Sequence, residues 1–190
     1  MSERWIFVRH AQSEANVGGW LSGHVDVGLT DLGREQAAAL ARRLADERVV
    51  TLASSDLRRA ADTARVGFAG RAFGLVQDPG LRERDVGAWS RTRWDALPPG
   101  GHERVFGSWE GRPPGGESSR DVARRVVPAL ARLEVRPGPR VVVAHGGVLR
   151  VILGLADGWS TDRIPHRPVR NAIPHARELP RGFWRALEVR

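Results

Sequence analysis

The 190-residue chain has no cysteine, no lysine and no tyrosine, and it has a single methionine. Without cysteine, disulfides, zinc–thiolate centres and thiol nucleophiles are excluded. The lack also suits a reducing compartment. No apolar run approaches the length of a membrane span. The N-terminus, Met1-Ser2-Glu3-Arg4, leads straight into an apolar run with no signal-peptide pattern. The cytoplasm is therefore the expected location, with no membrane partner. There is no internal repeat and no low-complexity linker. Because lysine is missing, all 30 basic residues are arginine, a replacement that points to coding bias. The formal net charge is +8, and the planar guanidinium suits phosphate, so an anionic substrate fits. Nucleic acid is not expected. The arginines are scattered among acids, as in Arg82-Glu83-Arg84-Asp85, and form no dense run.

The length suits one domain with a full core. Residues 4–9, 49–53, 73–76 and 140–144 have strand patterns. One helix is expected from Thr30 or Asp31 to about 46, with Ala37, Leu40, Ala41 and Leu44 on one face. A second follows a cap at Ser55 or Asp56. A third opens on Ser118-Ser119-Arg120-Asp121, a capping-box pattern, runs to about 134, and should kink at Pro128. A fourth follows His145. Residues 17–29 form a glycine-rich loop, and 77–116 an irregular insert or lid. Two late strands, near 173–179 and 183–189, predict a hairpin around Pro180-Arg181-Gly182. The alternation predicts an α/β fold, a three-layer αβα sandwich. Its sheet should be mostly parallel with an antiparallel edge, in a single domain over 1–190.

Arg9-His10 ends the first strand, Trp5-Ile6-Phe7-Val8, and opens into Ala11-Gln12-Ser13. It sets a permanent cation beside a nitrogen nucleophile at the C-terminal edge of the sheet, where open α/β sheets bind ligands. Three other segments put reactive groups after a strand or at a helix start. They are Ser55-Asp56-Leu57-Arg58-Arg59-Ala60, Leu81-Arg82-Glu83-Arg84-Asp85-Val86-Gly87-Ala88-Trp89, and His145-Gly146-Gly147. The helix after His145 offers backbone N–H groups to an anion.

These blocks resemble the histidine phosphatase superfamily, in its phosphoglycerate-mutase-like branch. The matching residues include Arg9-His10 through Asn16, Leu29-Thr30 through Ala37, and Ser55 through Ala64. Glu83 with Gly87 and Trp89, Gly115-Gly116-Glu117-Ser118, Ala144-His145-Gly146-Gly147 and Asn171-Ala172 complete them. They follow the family's order over nearly the whole chain. The resemblance implies catalysis by His10, Glu83, Arg9, Arg59 and His145, with no metal and no cofactor. His10 would accept the phosphoryl group. Arg9, Arg59 and His145 would grip its oxygens. Glu83 would protonate the leaving alkoxide and then deprotonate water. Ser13, Asn16, Ser22, Gly23 and Gly146 would complete the phosphate site. Fixed donors where negative charge gathers, with a nucleophile that splits the displacement in two, are what phosphoryl transfer needs.

Two departures stand out. Ala11 replaces the commoner glycine, with less backbone freedom. Trp20 stands where many members carry arginine, which suggests a flat or apolar substrate surface. Trp20, Trp94 and Trp109 are expected to rim the pocket. Arg91, Arg93, Arg104 and Arg112 could each reach a substrate or merely solvate the lid. The implied activity is metal-independent hydrolysis of a small phosphomonoester, with α-ribazole phosphate one candidate. Phosphoglycerate mutase is the rival of the same fold, and a non-catalytic phospho-ligand or nucleic-acid binder the rival of another class. A monomer or homodimer is expected.

Overall fold

A computed structural model describes residues 1–72 and 74–189. Its centre is a five-stranded sheet of β1 (Ser2–Arg9), β2 (Thr51–Ser54), β3 (Leu75–Gln77), β4 (Arg140–Ala144) and β5 (Pro174–Pro180). The order is β3-β2-β4-β1-β5. The first four strands are mutually parallel, and β5 runs antiparallel to β1 from Ser2↔Pro180 to Val8↔Pro174. The helices are α1 (Glu14–Gly18), α2 (Asp31–Arg43), α3 (Arg58–Gly67), α4 (Ser119–Glu134), α5 (Gly146–Ala156) and α6 (Phe183–Ala186). No helix among the described residues is long and apolar enough to cross a membrane.

The layers follow from the strand period of two. On β1, Trp5 and Phe7 enter one core with α4, α5 and α6. Ile6 and Val8 enter the other with α2 and α3. On β4, Val142 and Ala144 face the first core, and Val141 and Val143 the second. Both strands are covered on both faces, which is why they are continuous apolar runs. This is the expected α/β sandwich with a mostly parallel sheet and an antiparallel edge.

Several boundaries differ from the sequence pattern. The expected tail hairpin is absent. Residues 183–186 form α6, and Trp184 stands edge-on to both Trp5 and Phe7 at 6.1 Å. Burying that indole beneath the sheet outweighs adding an edge strand, so the antiparallel edge is β5 on β1. Proline at both ends of β5 suits an edge position. The loop expected over 17–29 loses its first two residues to α1, which is closed by Gly19 at φ 65°. The third strand begins at Leu75, and Phe73 lies outside the described residues. Neither Ser55 nor Asp56 is the N-cap residue of α3. That position falls to Leu57, and the Arg58 N–H donates to Asp26 Oδ1 at 2.7 Å. Asp56 is drawn away by Arg82, whose Nε donates to it at 2.8 Å. Thr30 caps α2, and Ser118 with Asp121 forms the capping box of α4, as the pattern predicts.

Candidate active site

The parallel strands β1, β2 and β4 deliver their C-terminal ends to one edge of the sheet. Arg9 and His10 leave β1 there, and His145 leaves β4 to start α5. The His10 N–H donates to the Ala144 carbonyl at 2.8 Å, so the two chain exits are tied together. The imidazole rings of His10 and His145 lie 5.2 Å apart between centroids.

His10 is buried, and its Nδ1 lies 2.7 Å from the Ala11 carbonyl. A carbonyl only accepts, so Nδ1 carries the proton and Nε2 keeps its lone pair. Burial, reinforced by the Arg59 and Arg9 charges, holds this imidazole well below its ordinary range; the Ala11 bond opposes them. His10 is therefore neutral at neutral pH. Asn171 fixes the backbone here, its Nδ2 donating to the His10 carbonyl at 2.7 Å.

Around the two rings, buried donors are left unpartnered. Arg59 is fully buried on α3. Its Nη1 donates to the Val25 carbonyl at 2.9 Å and its Nη2 to the Gly23 carbonyl at 2.8 Å, yet Nε has no partner. Arg9 donates from Nη1 to the Val169 carbonyl at 2.9 Å, and again Nε has none. Both ring nitrogens of His145 are buried and unpartnered. Burial, with the Arg59 charge next, pushes His145 well down as well. Orphaned buried polar groups cost roughly 1–3 kcal/mol each, so four in one place mark a site shaped for an anion. A bound dianion would satisfy the donors and favour protonation of His145.

Glu83 reaches the same place from the turn after Leu81. Its Oε1 accepts from the Arg84 N–H at 2.8 Å and from the Gly147 N–H at 3.1 Å. The carboxyl thus sits on the N-terminus of α5. A Cβ on Gly147 would stand 2.7 Å from Glu83 Oε1, so glycine is needed for that approach. The loop behind Glu83 is held by Arg125, which donates to the carbonyls of Gly80, Arg82 and Glu83 and pairs with Glu117 at 2.7 Å. His24 closes the other side, its ring Nε2 2.7 Å from the Glu83 carbonyl.

Of the residues expected at the site, Arg9, His10, Asn16, Ser22, Gly23, Glu83 and Gly146 line one pocket. Arg59 and His145 are buried beside it. Ser13 does not line it. Its hydroxyl donates to Asn16 Oδ1 at 3.1 Å, as does Asn171 Nδ2 at 3.3 Å, which leaves the Asn16 Nδ2 hydrogens for the pocket. Trp20 and Trp94 rim the pocket as expected, whereas Trp109 is buried elsewhere, against α4. None of Arg91, Arg93, Arg104 and Arg112 lines it. Arg91 lies over the Trp20 ring, and Arg93 and Arg112 pair with Asp95 and Asp121. The sequence reading missed Leu21, Val86, Phe106 and Arg150 in the lining. Arg150 had a signal: it follows Gly146 by four residues, one turn along the same helix face.

Comparisons with known proteins agree with this geometry. The family model of the histidine phosphatase superfamily, branch 1, matches residues 5–189. A glucosyl-3-phosphoglycerate phosphatase of Mycolicibacterium vanbaalenii is 37% identical over 85% of this chain and 77% of its own length. A 2,3-bisphosphoglycerate-dependent phosphoglycerate mutase of a Chelativorans species is 36% identical over 92% of this chain and 91% of its own. Among solved structures, a mycobacterial glucosyl-3-phosphoglycerate phosphatase in complex with VO3 superposes with a TM-score of 0.85 at 31% identity, covering 92% of both chains. A putative α-ribazole-5'-phosphate phosphatase of Escherichia coli gives a TM-score of 0.83 at 28% identity, over 94% of this chain and 91% of its own. The chain belongs to the histidine phosphatase superfamily, branch 1, and is an enzyme of the metal-independent histidine phosphatase type.

Proposed function

We propose that this member of the histidine phosphatase superfamily hydrolyses a small phosphomonoester through a covalent phosphohistidine at His10. The observation that carries the reading is the set of unpartnered buried donors, Arg9 Nε, Arg59 Nε and the His145 ring, around a neutral imidazole whose free nitrogen is Nε2. In the first step the Nε2 lone pair of His10 forms the N–P bond as the ester P–O bond breaks. Glu83 gives its proton to the departing alkoxide. The Nδ1–H bond to Ala11 steadies the positive charge that the ring takes on. In the second step water attacks phosphorus, Glu83 takes the water's proton, and the N–P bond breaks to return the lone pair to Nε2. Arg9, Arg59, His145 and the N-terminus of α5 offset the charge on the non-bridging oxygens throughout. Asn16, Ser22 and Gly23 complete the pocket, and residues 77–116 act as its lid within a single domain.

The organic part of the substrate is the finer question. Glucosyl-3-phosphoglycerate and α-ribazole phosphate are the candidates offered by similar proteins. The apolar rim of Trp20, Trp94 and Phe106 favours a substrate with a flat or ring-shaped face. Mutase chemistry is a second reading, favoured by the similarity to phosphoglycerate mutases. The test is turnover of p-nitrophenyl phosphate, labelled in its phosphate, in the presence of a chelator, with an alkaline quench to trap the phosphoenzyme, since a phosphohistidine survives base and is hydrolysed by acid. Wild type should turn over and carry label, and His10→Ala should do neither. Equal turnover by the two proteins would sink the mechanism. Transfer of phosphate between positions of 3-phosphoglycerate faster than its release would favour the mutase.

A further inference from the structure

The buried donors account for one anion, and a further cation is left over in the same pocket. Arg150 lies on α5 four residues after Gly146, so it stands one turn, ~5–6 Å, beyond the helix N-terminus on the same face. Its Nε donates to the Arg167 carbonyl at 3.0 Å. Arg150 forms no ion pair among the described residues, and Asp157, the residue that caps the C-terminus of α5, is engaged by Arg167 and Arg177. The other pocket arginines are already committed. Arg84 spends its guanidinium on the carbonyls of Glu117, Val105 and Gly111, and Arg9 belongs to the phosphate cage. Arg150 and Arg9 are close enough that each charge opposes the other. Three guanidiniums, of Arg9, Arg84 and Arg150, against one carboxylate, Glu83, leave the pocket with positive charge to spare.

The surroundings of Arg150 also show where a longer substrate would run. Arg150, Trp94, Phe106 and Pro165 line both the pocket and a second groove that continues outward past His102 and Arg167. The Trp94 and Phe106 rings pack together at 5.0 Å between centroids, giving the passage an apolar wall. A cation beside an apolar wall, a fixed step from a phosphate cage, matches a ligand with two anionic ends and a short apolar or ring-faced connector.

We propose that Arg150, with the Trp94–Phe106 wall, forms a second anion subsite that binds a carboxylate or second phosphate on the substrate. The proposal rests on the phosphatase reading only for the identity of the first anion. Binding is best measured in His10→Ala protein, which cannot turn the ligand over. Titration calorimetry would compare glycerol 3-phosphate, 3-phosphoglycerate and propane-1,3-diol bisphosphate. At least one doubly anionic ligand should bind about tenfold tighter than glycerol 3-phosphate, the size of a charge-assisted hydrogen bond. Which of the two gains tells carboxylate from phosphate. Adding Arg150→Met should erase that preference, and Arg150→Lys should restore part of it in a protein of unchanged circular dichroism. Equal affinity for all three ligands would overturn the subsite. So would a preference that survives Arg150→Met, or a loss by Arg150→Met that is uniform across the ligands. Failure of every phosphate to bind would overturn both the subsite and the phosphatase reading. Binding without the preference strikes the subsite alone.

Discussion

Acid should destabilise this protein through two residues of its own active site. His10 and His145 are 3% and 0% exposed, and burial beside Arg59 holds both well below the ordinary histidine range. In the unfolded chain each titrates near its usual value of ~6.5. Above that value both states are neutral and the pair contributes nothing to the pH dependence. Below it the unfolded chain binds protons that the folded chain does not, so stability is lost as pH falls toward the folded values. At pH 5.5 each unfolded imidazole gains about 1.4 kcal/mol from protonation, and at pH 7.5 less than about 0.1 kcal/mol. The pair therefore removes up to about 2.7 kcal/mol between the two pH values, a large part of a typical stability of about 5–15 kcal/mol. Urea unfolding at pH 7.5 and 5.5 measures it, on wild type and on a His10→Asn/His145→Asn double variant. Wild type should lose up to about 2.7 kcal/mol more than the double variant over that range. The same loss in both proteins would refute the claim that burial keeps the two rings neutral.

Three further perturbations test the supports of the site. Gly147→Ala places a Cβ 2.7 Å from Glu83 Oε1 and must displace the carboxyl. Its kcat should fall about tenfold or more on alkyl phosphates and less on p-nitrophenyl phosphate, whose leaving group needs little help from an acid; equal losses would count against Glu83 as the proton donor. Arg125→Met removes the donor to three loop carbonyls and to Glu117. Steady-state kinetics should show kcat falling more than KM rises, since Glu83 loses its backing while the cage stays whole; a pure KM effect would contradict this. Gly33→Ala would set a Cβ 2.0 Å from the Gln12 carbonyl, backbone against backbone where α2 meets the loop after β1. A loss of more than about 2 kcal/mol in urea unfolding is expected, and a neutral result would mean that this contact is looser than it stands.

How much of this was legible in the sequence depends on what holds each part in place. β1 and β4 are buried on both faces, so they stand out as apolar runs, and the residues that leave their ends, Arg9, His10 and His145, could be placed from the pattern alone. The fold class followed from the same alternation. Arg59 and Glu83 were different: local pattern leaves one a helix-surface arginine and the other a loop carboxylate, and only the ordered set of blocks singled them out. The parts that were missed are fixed by long-range contacts with no period. Trp184 leaves the sheet edge because Trp5 and Phe7 offer it a buried slot, a fact that 183–189 alone does not carry. The wall of Val86 and Phe106 depends on how residues 77–116 fold back, and that path is set by Arg84 and Arg125 reaching carbonyl oxygens. Carbonyls are present at every residue, so sequence gives no hint of which ones an arginine will choose. The same chemistry explains why the four lid arginines that the sequence leaves open between substrate and solvent do not line the pocket. Arg91, Arg93, Arg104 and Arg112 are occupied by rings, carboxylates or carbonyls of their own segment. Arg150, a pocket arginine without a carboxylate partner, lies instead on a regular helix, where spacing from Gly146 sets its distance from the phosphate cage. On the subsite proposed above, α5 holds the charge at a fixed step from the reacting phosphorus, as a rigid helix can, and residues 77–116 contribute the apolar wall of Trp94 and Phe106.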